Sequence, residues 1–324
     1  MVNTRNHFQN LNTEQKISLA TELYYLYHLP QAKIAEIMGI SRPWVSKLLA
    51  RAEEMNLVKV SVLTETSGVV QLEQALIQKY HIRNARVVKT LENMSSLRSC
   101  ALAAAHYIIS TIKPDDKIGI CFGRTLAALT EVFDQVYFPH AMVVPMVGGL
   151  GDNTSIMSNY LAENLAQRLG CEYKHLHAPA LLDEKIKKET FLNDTYIKEI
   201  FDIANHVDMA LFSPGDLSPQ SSLLRDRQIS NEELADLISL GAVGDLFLNF
   251  IDKDGRLVPH NVHDRAITVD LETVAKNARD KIAIAIGEAK VPVLHAALKG
   301  KWVDTLITDS ATAGMLLQVE ADTL

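Results

Sequence analysis

The stretch that organises this sequence lies at residues 31–51 and reads QAKIAEIMGISRPWVSKLLAR. Apolar residues recur at helical spacing in its first eight positions, which predicts a short helix. Gly39 follows where a helix commonly ends in a left-handed residue, which glycine adopts at low cost. Ser41 is placed to cap a second helix with its hydroxyl, and Pro43 falls in that helix's first turn, where the missing N–H matters little. The stretch therefore predicts two helices joined by a tight turn.

The second predicted helix has a buried face and an outward face. Val45, Leu48 and Leu49 form the buried face, which leaves cationic, hydroxyl and aromatic side chains outside. Such a helix suits the major groove of DNA, although a helix–glycine–helix corner also occurs in domains that bind no DNA. We predict DNA contacts from Gln31, Ser41, Arg42, Pro43, Trp44, Ser46, Lys47 and Arg51.

The residues around this stretch complete a predicted winged helix-turn-helix at 1–64. Thr13 can cap a supporting helix that runs to about His28, and Asn56 is a plausible stop for the second helix of the motif. Residues 57–62 alternate like a short strand, which would form the wing. A polar, glycine-ended linker follows, and we place the domain boundary near residue 65.

The charge of the 324-residue chain is unevenly divided. Its net charge is −7, yet residues 1–60 hold seven Lys/Arg and five Asp/Glu, and the remainder holds 25 and 34. Attraction to phosphate is therefore expected only from the N-terminal part, and several copies per complex would strengthen a modest affinity.

The cysteines and the lack of long apolar runs indicate in which cellular compartment the protein is expected. Cys100, Cys121 and Cys171 lack the spacing of disulfides or metal sites, so we expect reduced, buried thiols. We see no signal peptide and no run of about 18 apolar residues that could span a membrane. The sequence predicts a cytoplasmic protein.

Strand and helix patterns alternate beyond residue 65. Short apolar runs lie at residues 85–89, 117–122, 142–147, 209–212, 281–286 and 303–308. Strands separated by helices indicate a mostly parallel sheet covered on both faces. We therefore predict an α/β fold in which the winged helix-turn-helix precedes an α/β domain at 65–324.

Ligands of open α/β sheets gather at the carboxyl ends of the strands, so residues that follow each run are candidates. Residues 117–122 precede Gly123, Arg124, Thr125 and Leu126. Glycine lets the backbone approach an anion, a helix start presents N–H groups, and arginine adds a positive charge. The pattern predicts a phosphate-binding turn; the alternative is a glycine that serves only the strand-to-helix turn.

Glycines at another strand end also favour close approach of a ligand. Gly148 and Gly149 follow residues 142–147, and a flexible loop is the equally simple alternative. Asn159, in the next helical pattern, either reaches a ligand or is solvated.

Two charged residues lie beside apolar runs. Asp245 precedes Leu246, and a carboxylate there needs a partner, such as the hydroxyls of a sugar; a surface turn is the alternative. Lys290 stands near a predicted helix start, where a cation opposes the helix dipole. A bound anion would explain that placement, and so would a lysine that reaches solvent.

Enzyme chemistry has less support. The pairs His175/His177 and His260/His263 lack a convincing third ligand, so we predict no metal. No nucleophile elbow is present, and no base stands beside the phosphate-binding turn. The sequence thus predicts neither catalysis nor a cofactor.

Several segments carry a resemblance to a known family: residues 32–35 with 39–49, 118–126, 144–149, 178–180, 241–245 and 306–313. On these segments nearly the whole chain resembles the SorC family of sugar-responsive bacterial transcription regulators. The resemblance implies an effector domain similar in fold to ribose-phosphate isomerases and glucosamine-phosphate deaminases. It also implies a phosphorylated sugar as effector and a homodimer or homotetramer.

Carried over by position, the resemblance has Gly123, Arg124 and Thr125 hold phosphate, Asp245 bind hydroxyls and Lys290 contact the ligand. Two departures stand out. Residue 286 is Ile where members often carry a glycine before Gly287, and residues 145–149 hold no lysine, so no imine to an aldehyde sugar is expected from that loop.

These observations together predict a regulator that binds operator DNA and is controlled by a phosphorylated sugar. The predicted effector-binding residues are Gly123, Arg124, Thr125, Leu126, Gly148, Gly149, Asp245 and Lys290. One alternative is an isomerase- or deaminase-like enzyme with a DNA-binding head. Another is a scaffold with a protein-binding head, which would leave the exposed Arg42 and Lys47 unexplained.

Overall fold

The computed structural model describes residues 11–25, 27, 29–55, 57–58, 67–89, 94–149, 156–219, 221 and 229–319. Contacts divide the chain into two compact units, residues 1–65 and 66–324. The predicted stop at Asn56 and most of the predicted wing strand at 57–62 lie outside the described residues.

The described part of the first unit contains three helices, α1 (Thr13–Tyr25), α2 (Gln31–Met38) and α3 (Arg42–Glu54). Their apolar faces form a separate small core: Ile17, Ala20, Ile34, Ala35, Met38, Val45, Leu48, Leu49 and Ala52. Gly39 ends α2 with a left-handed φ of 66°, as predicted. Residues 31–51 therefore form two helices joined by a tight turn, as predicted.

Two details of the caps differ from the prediction. Asn12, not Thr13, caps α1: its side chain accepts from the N–H of Gln15 at 2.8 Å, and the Gln15 side chain accepts from the N–H of Asn12 at 3.0 Å. Ser41 precedes α3 in extended conformation, but its hydroxyl makes no capping bond. A cap hydroxyl accepts from the second or third N–H of a helix; Pro43 lacks an N–H, and Trp44 donates to the Ser41 carbonyl oxygen.

Helix α1 also ends earlier than the predicted His28. The N–H of Tyr27 donates to the Glu22 carbonyl oxygen and that of Leu29 to the Leu23 carbonyl oxygen. These wider hydrogen bonds wrap the chain around the last turn of the helix and satisfy carbonyls that a helix end leaves unpaired.

The second unit contains a parallel sheet, as predicted. Its described strands are β1 (Asn84–Val88), β2 (Lys117–Ile120), β3 (Met142–Pro145), β4 (Glu172–Tyr173), β5 (Met209–Phe212), β8 (Asp280–Ile284) and β9 (Thr305–Asp309). They lie in the order β1-β9-β8-β5-β2-β3-β4, and all neighbours are parallel. Every residue of β5, β8 and β9 is buried, as expected for strands covered on both faces.

Helices follow most of these strands and cover the sheet. They are α4 (Ser67–Tyr80), α5 (Ser96–Thr111), α6 (Arg124–Val132), α7 (Ser158–Leu169), α8 (Lys185–Leu192), α9 (Thr195–Ala204), α10 (Asn231–Ser239), α11 (Leu271–Asn277), α12 (Val291–Lys299) and α13 (Ser310–Gln318). Short 3-10 turns lie at Asn261–Asp264 and Glu288–Lys290.

An antiparallel hairpin stands apart from the parallel sheet. It consists of β6 (Ala242–Leu246) and β7 (Asn249–Asp252). Phe247 and Leu248 connect the two strands with φ of 53° and 63°, and both side chains are buried. Two-residue turns with positive φ usually contain Asn and Gly. Phe247 and Leu248 are neither, so the backbone is strained at the hairpin tip and no pattern in the sequence indicated a turn there.

Candidate functional site

The outward face of α3 matches the prediction. Arg42, Trp44, Ser46, Lys47 and Arg51 are exposed, as are Ser41 and Pro43. Gln31 is half-buried at the start of α2. The first unit thus presents cationic, hydroxyl and aromatic groups together on one helix surface.

The cations on this surface differ in their pairing. Arg51 forms an exposed ion pair with Glu54 at 2.5 Å, which stabilises little and breaks readily in water. In the described part of the chain, neither Arg42 nor Lys47 forms an ion pair. Their charges are therefore available to an external anion.

The second unit has a cavity at the carboxyl ends of its central strands. From β2 the chain continues to β3 and β4 on one side of the sheet, whereas β5, β8 and β9 lie on the other. The boundary between β2 and β5 is thus a topological switch point, the position at which open α/β sheets bind ligands. The cavity has a volume of about 90 Å³, and five predicted residues line it: Gly123, Arg124, Thr125, Asp245 and Lys290.

The turn after β2 forms one wall of this cavity. Gly123 precedes α6 with a φ of 119°, a conformation that side chains disfavour, and its N–H donates to the Ile156 carbonyl oxygen. The Ser213 hydroxyl lies 3.4 Å from the Thr125 hydroxyl oxygen, and Arg124 is exposed at the rim. The first N–H groups of a helix lack intrahelical partners, so this wall offers backbone donors, a hydroxyl and a guanidinium.

Asp245 contributes a hydrogen-bond acceptor to the cavity, in contrast to the donors of the turn after β2. It is 4% exposed, so the surface-turn alternative is wrong. Burial raises the pKa of its carboxyl to about 6, against the opposing effects of the Leu248 N–H and of Lys290. That N–H donates to Asp245 Oδ2 at 2.9 Å, which holds the carboxylate against the strained hairpin tip.

Lys290 is held by a residue that the sequence did not single out. Its Nζ lies 3.0 Å from Asp216 Oδ2 and donates to the Pro214 carbonyl oxygen at 2.5 Å. Burial raises the pKa of Asp216, but hydrogen bonds from Ser218 and the charge of Lys290 outweigh it, and the net pKa is lowered. The lysine therefore faces the cavity rather than bulk solvent.

Three predicted effector-binding residues, and one residue for which a ligand contact was an open alternative, lie outside the cavity or contribute only backbone. Leu126 is fully buried in the core, so only its backbone can serve the turn. Gly148 and Gly149 do not line the cavity: a side chain on Gly148 would overlap the backbone at Pro179, and Gly149 pairs with Pro179 in a β-bridge. The close approach that Gly148 permits is made by the protein's own chain. Asn159 is half-buried, binds both backbone groups of Leu176 and does not line the cavity.

Several lining residues were missed by sequence reasoning: Cys121, Phe122, Ser213, Gly215, Asp216, Ser221 and Phe247. Ser213, Gly215 and Asp216 directly follow β5, so the rule applied to the other strand ends would have found them. Phe247 carried no such signal, because it enters the cavity from the hairpin tip.

The histidine pairs do not form a metal site. His175 and His177 follow β4, and their rings stack with centroids 5.6 Å apart. His263 accepts a hydrogen bond from the Phe250 N–H. Across the residues that the structure describes, no group of three or more His, Cys, Asp or Glu side chains is arranged to hold a metal ion. None of the helices in the described part of the chain has the length and apolarity of a membrane span.

Comparison with known proteins places the chain in a family. Residues 64–318 match the family model described as "Putative sugar-binding domain". The Deoxyribonucleoside regulator of Bacillus subtilis is 30% identical over 310 residues, which cover 94% of this chain and 98% of that protein. The chain belongs to the SorC family of transcriptional regulators.

Solved structures agree with this assignment. The crystal structure of the full-length Sorbitol Operon Regulator SorC of Klebsiella pneumoniae is 28% identical, with a TM-score of 0.83 over 95% of this chain and 100% of that chain. A DeoR family transcriptional regulator of Listeria monocytogenes is 27% identical, with a TM-score of 0.72 over 76% of this chain and 99% of that chain. Because these relatives are named as transcriptional regulators, the prediction of a regulator rather than an enzyme is confirmed.

Proposed function

We propose that this member of the SorC family is a transcriptional regulator whose second unit binds a phosphorylated sugar and whose first unit binds operator DNA. In this proposal residues 1–64 form the DNA-binding domain, completed by a wing, and residues 65–324 bind the effector and support a homodimer or homotetramer. The regulatory part of the proposal is supported by the relatives, which are named as transcriptional regulators. The effector part is supported by the residues that line the cavity.

The single observation that carries the effector proposal is the position of the cavity at the switch between β2 and β5. There the start of α6, Arg124 and Thr125 offer the donors that a phosphate requires. Asp245 and Lys290 line the same cavity and offer an acceptor and a donor to sugar hydroxyls. A phosphate with an attached polyol matches both sets of groups.

The regulatory step is a two-state linkage. The effector binds one arrangement of the assembled protein more tightly, and this changes how the DNA-binding domains match the spacing of operator half-sites. Arg42 and Lys47 on α3 would then contact phosphates or base edges only in the matching arrangement.

A thermal-shift screen tests the effector proposal. Each sugar phosphate is compared with the same sugar without phosphate, using the full chain. An effector at 100 times its dissociation constant should stabilise the protein by about 2.7 kcal/mol, whereas the unphosphorylated sugar should have almost no effect. Equal stabilisation by both members of a pair would contradict the phosphate-binding role.

A further inference from the structure

The charged groups of the cavity fall into two sets on different elements. Arg124 is the first residue of α6, beside the other backbone N–H groups that begin this helix. Asp216 follows β5, Asp245 lies in β6, and Lys290 directly precedes α12. The first set is wholly cationic, whereas the second contains two buried carboxylates and one ammonium group.

Within the second set the ammonium group is already engaged. Lys290 Nζ lies 3.0 Å from Asp216 Oδ2, with the two side chains 22% and 12% exposed. Ser218 holds Asp216 in place, because its backbone N–H and its hydroxyl both donate to Asp216 Oδ1. The pair is thus fixed from both sides by hydrogen bonds.

Asp245 is left without an ion-pair partner in the part of the chain that the structure describes. Its carboxylate accepts from the Leu248 N–H at 2.9 Å. Hydroxyl groups can donate to such a carboxylate. A second carboxylate placed beside it would be repelled in a site partly shielded from water, where like charges interact strongly.

We propose that this second set selects the chemical class of the effector: phosphorylated sugars whose other end carries hydroxyls are accepted, and phosphorylated sugar acids are rejected. The inference rests on the sugar-phosphate site proposed above. Asp216 is the specificity-determining residue, because it forms an ion pair with Lys290. Without Asp216, the charge of Lys290 would neutralise a ligand carboxylate.

The experiment measures calorimetric binding at neutral pH with matched ligand pairs. Glucose 6-phosphate is compared with 6-phosphogluconate, and ribose 5-phosphate with 5-phosphoribonate, so that each pair differs at carbon 1. The wild-type chain should bind the better sugar phosphate at least about 10-fold more tightly than its acid. Asp216→Asn should free Lys290 and reduce that ratio at least about threefold.

A matched control is available in a second aspartate–lysine pair. Asp254 Oδ1 lies 2.6 Å from Lys299 Nζ, and neither residue lines the cavity. Asp254→Asn should leave the ratio unchanged. If Asp216→Asn does not fold, Asp245→Asn replaces it, because removing the unpartnered carboxylate should also lower the ratio.

The possible outcomes separate this inference from the proposed function. Wild-type protein that binds an acid as tightly as its sugar phosphate would overturn the inference and leave the phosphate site standing. A ratio that falls no further in Asp216→Asn than in Asp254→Asn would remove the role of Asp216. If no member of either pair binds, both this inference and the proposed binding of these sugar phosphates are overturned.

Discussion

Gly215 and Asp245 hold each other in place at the floor of the cavity. The backbone N–H of each donates to the carbonyl oxygen of the other, at 2.8 and 2.9 Å. A side-chain carbon on residue 215 would overlap the Asp245 carboxylate group. The absence of a side chain at position 215 therefore gives the buried carboxylate its space.

Gly215→Ala should damage both stability and ligand binding. Insertion of a methyl group into a filled site usually costs about 1–3 kcal/mol, because neighbours must shift. Here the neighbour that must shift is the carboxylate that faces the ligand, so affinity for a sugar phosphate should fall at least about 10-fold. Thermal unfolding and calorimetry on the same sample measure the two effects.

Gly314→Ala is the matched control for this substitution. Gly314 lies inside α13, and no heavy atom stands within 4 Å of the position that its Cβ would take. Alanine should therefore stabilise the helix by about 0.5–1 kcal/mol and leave binding unchanged. Equal losses of affinity in both variants would show that the contact between residues 215 and 245 has no special role.

Asp245→Asn should change how stability depends on pH. Burial raises the pKa of Asp245 to about 6, so the folded state favours the protonated carboxyl. The stability from this group is fully present below the unfolded pKa of about 3.9 and is lost as pH rises through about 6. Since asparagine never ionises and its oxygen can still accept from Leu248, the variant should gain stability relative to wild type as pH increases. Thermal unfolding between about pH 4.5 and about pH 7.5 measures the difference.

Asp216→Asn should give the opposite trend. Although burial opposes them, the Ser218 hydrogen bonds and Lys290 lower the pKa of Asp216. Its contribution is present above the unfolded pKa and is lost as pH falls through the lower, folded pKa. The variant should therefore be less stable than wild type at neutral pH, and the gap should close in acid. Parallel trends in the two variants would contradict the assigned electrostatics.

Four of the five cavity residues that the sequence predicted share one signal. Gly123, Arg124, Thr125 and Lys290 all follow apolar strands, and parallel strands bring their carboxyl ends to one edge of the sheet. Gly148 carried the same signal but packs against Pro179, because a glycine indicates close approach without revealing what approaches.

Other features depended on tertiary contacts that no local pattern encodes. Phe247 and Leu248 adopt positive φ without Asn or Gly, because burial and the Asp245 carboxylate hold the turn. The ion pair of Asp216 with Lys290 joins residues far apart in the sequence. In the first unit, by contrast, Gly39 and Pro43 act locally, and their positions were predictable.

Arg42→Ala combined with Lys47→Ala should abolish specific DNA binding without unfolding the protein. Both side chains are exposed, so their removal leaves the core of the first unit intact. Good base contacts contribute about 1–3 kcal/mol each, so the double variant should lose at least about 2 kcal/mol, or roughly 30-fold in affinity. Gel-shift titration uses DNA that the wild-type protein selects from a random-sequence pool.

The control removes two positive charges elsewhere. Lys253 and Arg256 are exposed in the second unit, and their joint change to alanine alters the net charge equally. This variant should retain specific DNA affinity within about twofold. Dissolved ions screen exposed charges that lie far from the DNA, so a change in net charge alone has little effect. An equal loss in both double variants would indicate a general charge effect and would withdraw the assignment of α3 as the DNA-reading helix.

Arg124→Glu should separate ligand response from DNA binding. The substitution places a carboxylate where we propose that phosphate binds, and repulsion between the two anions should lower effector affinity by at least about 100-fold. Arg124 lies in the second unit, whereas the predicted DNA-contacting residues lie in the first. DNA affinity without effector should therefore remain at the wild-type value.

A ligand that does not bind cannot shift a two-state equilibrium, so Arg124→Glu should keep its effector-free DNA affinity when sugar phosphate is added. Arg98→Glu is the matched control, since Arg98 is also exposed in the first turn of a helix but does not line the cavity. The measurement is DNA affinity with and without the sugar phosphate for wild type and both variants. A wild-type response in Arg124→Glu would place the phosphate elsewhere. Loss of effector-free DNA binding by the folded variant would show that residue 124 also shapes the DNA-binding state.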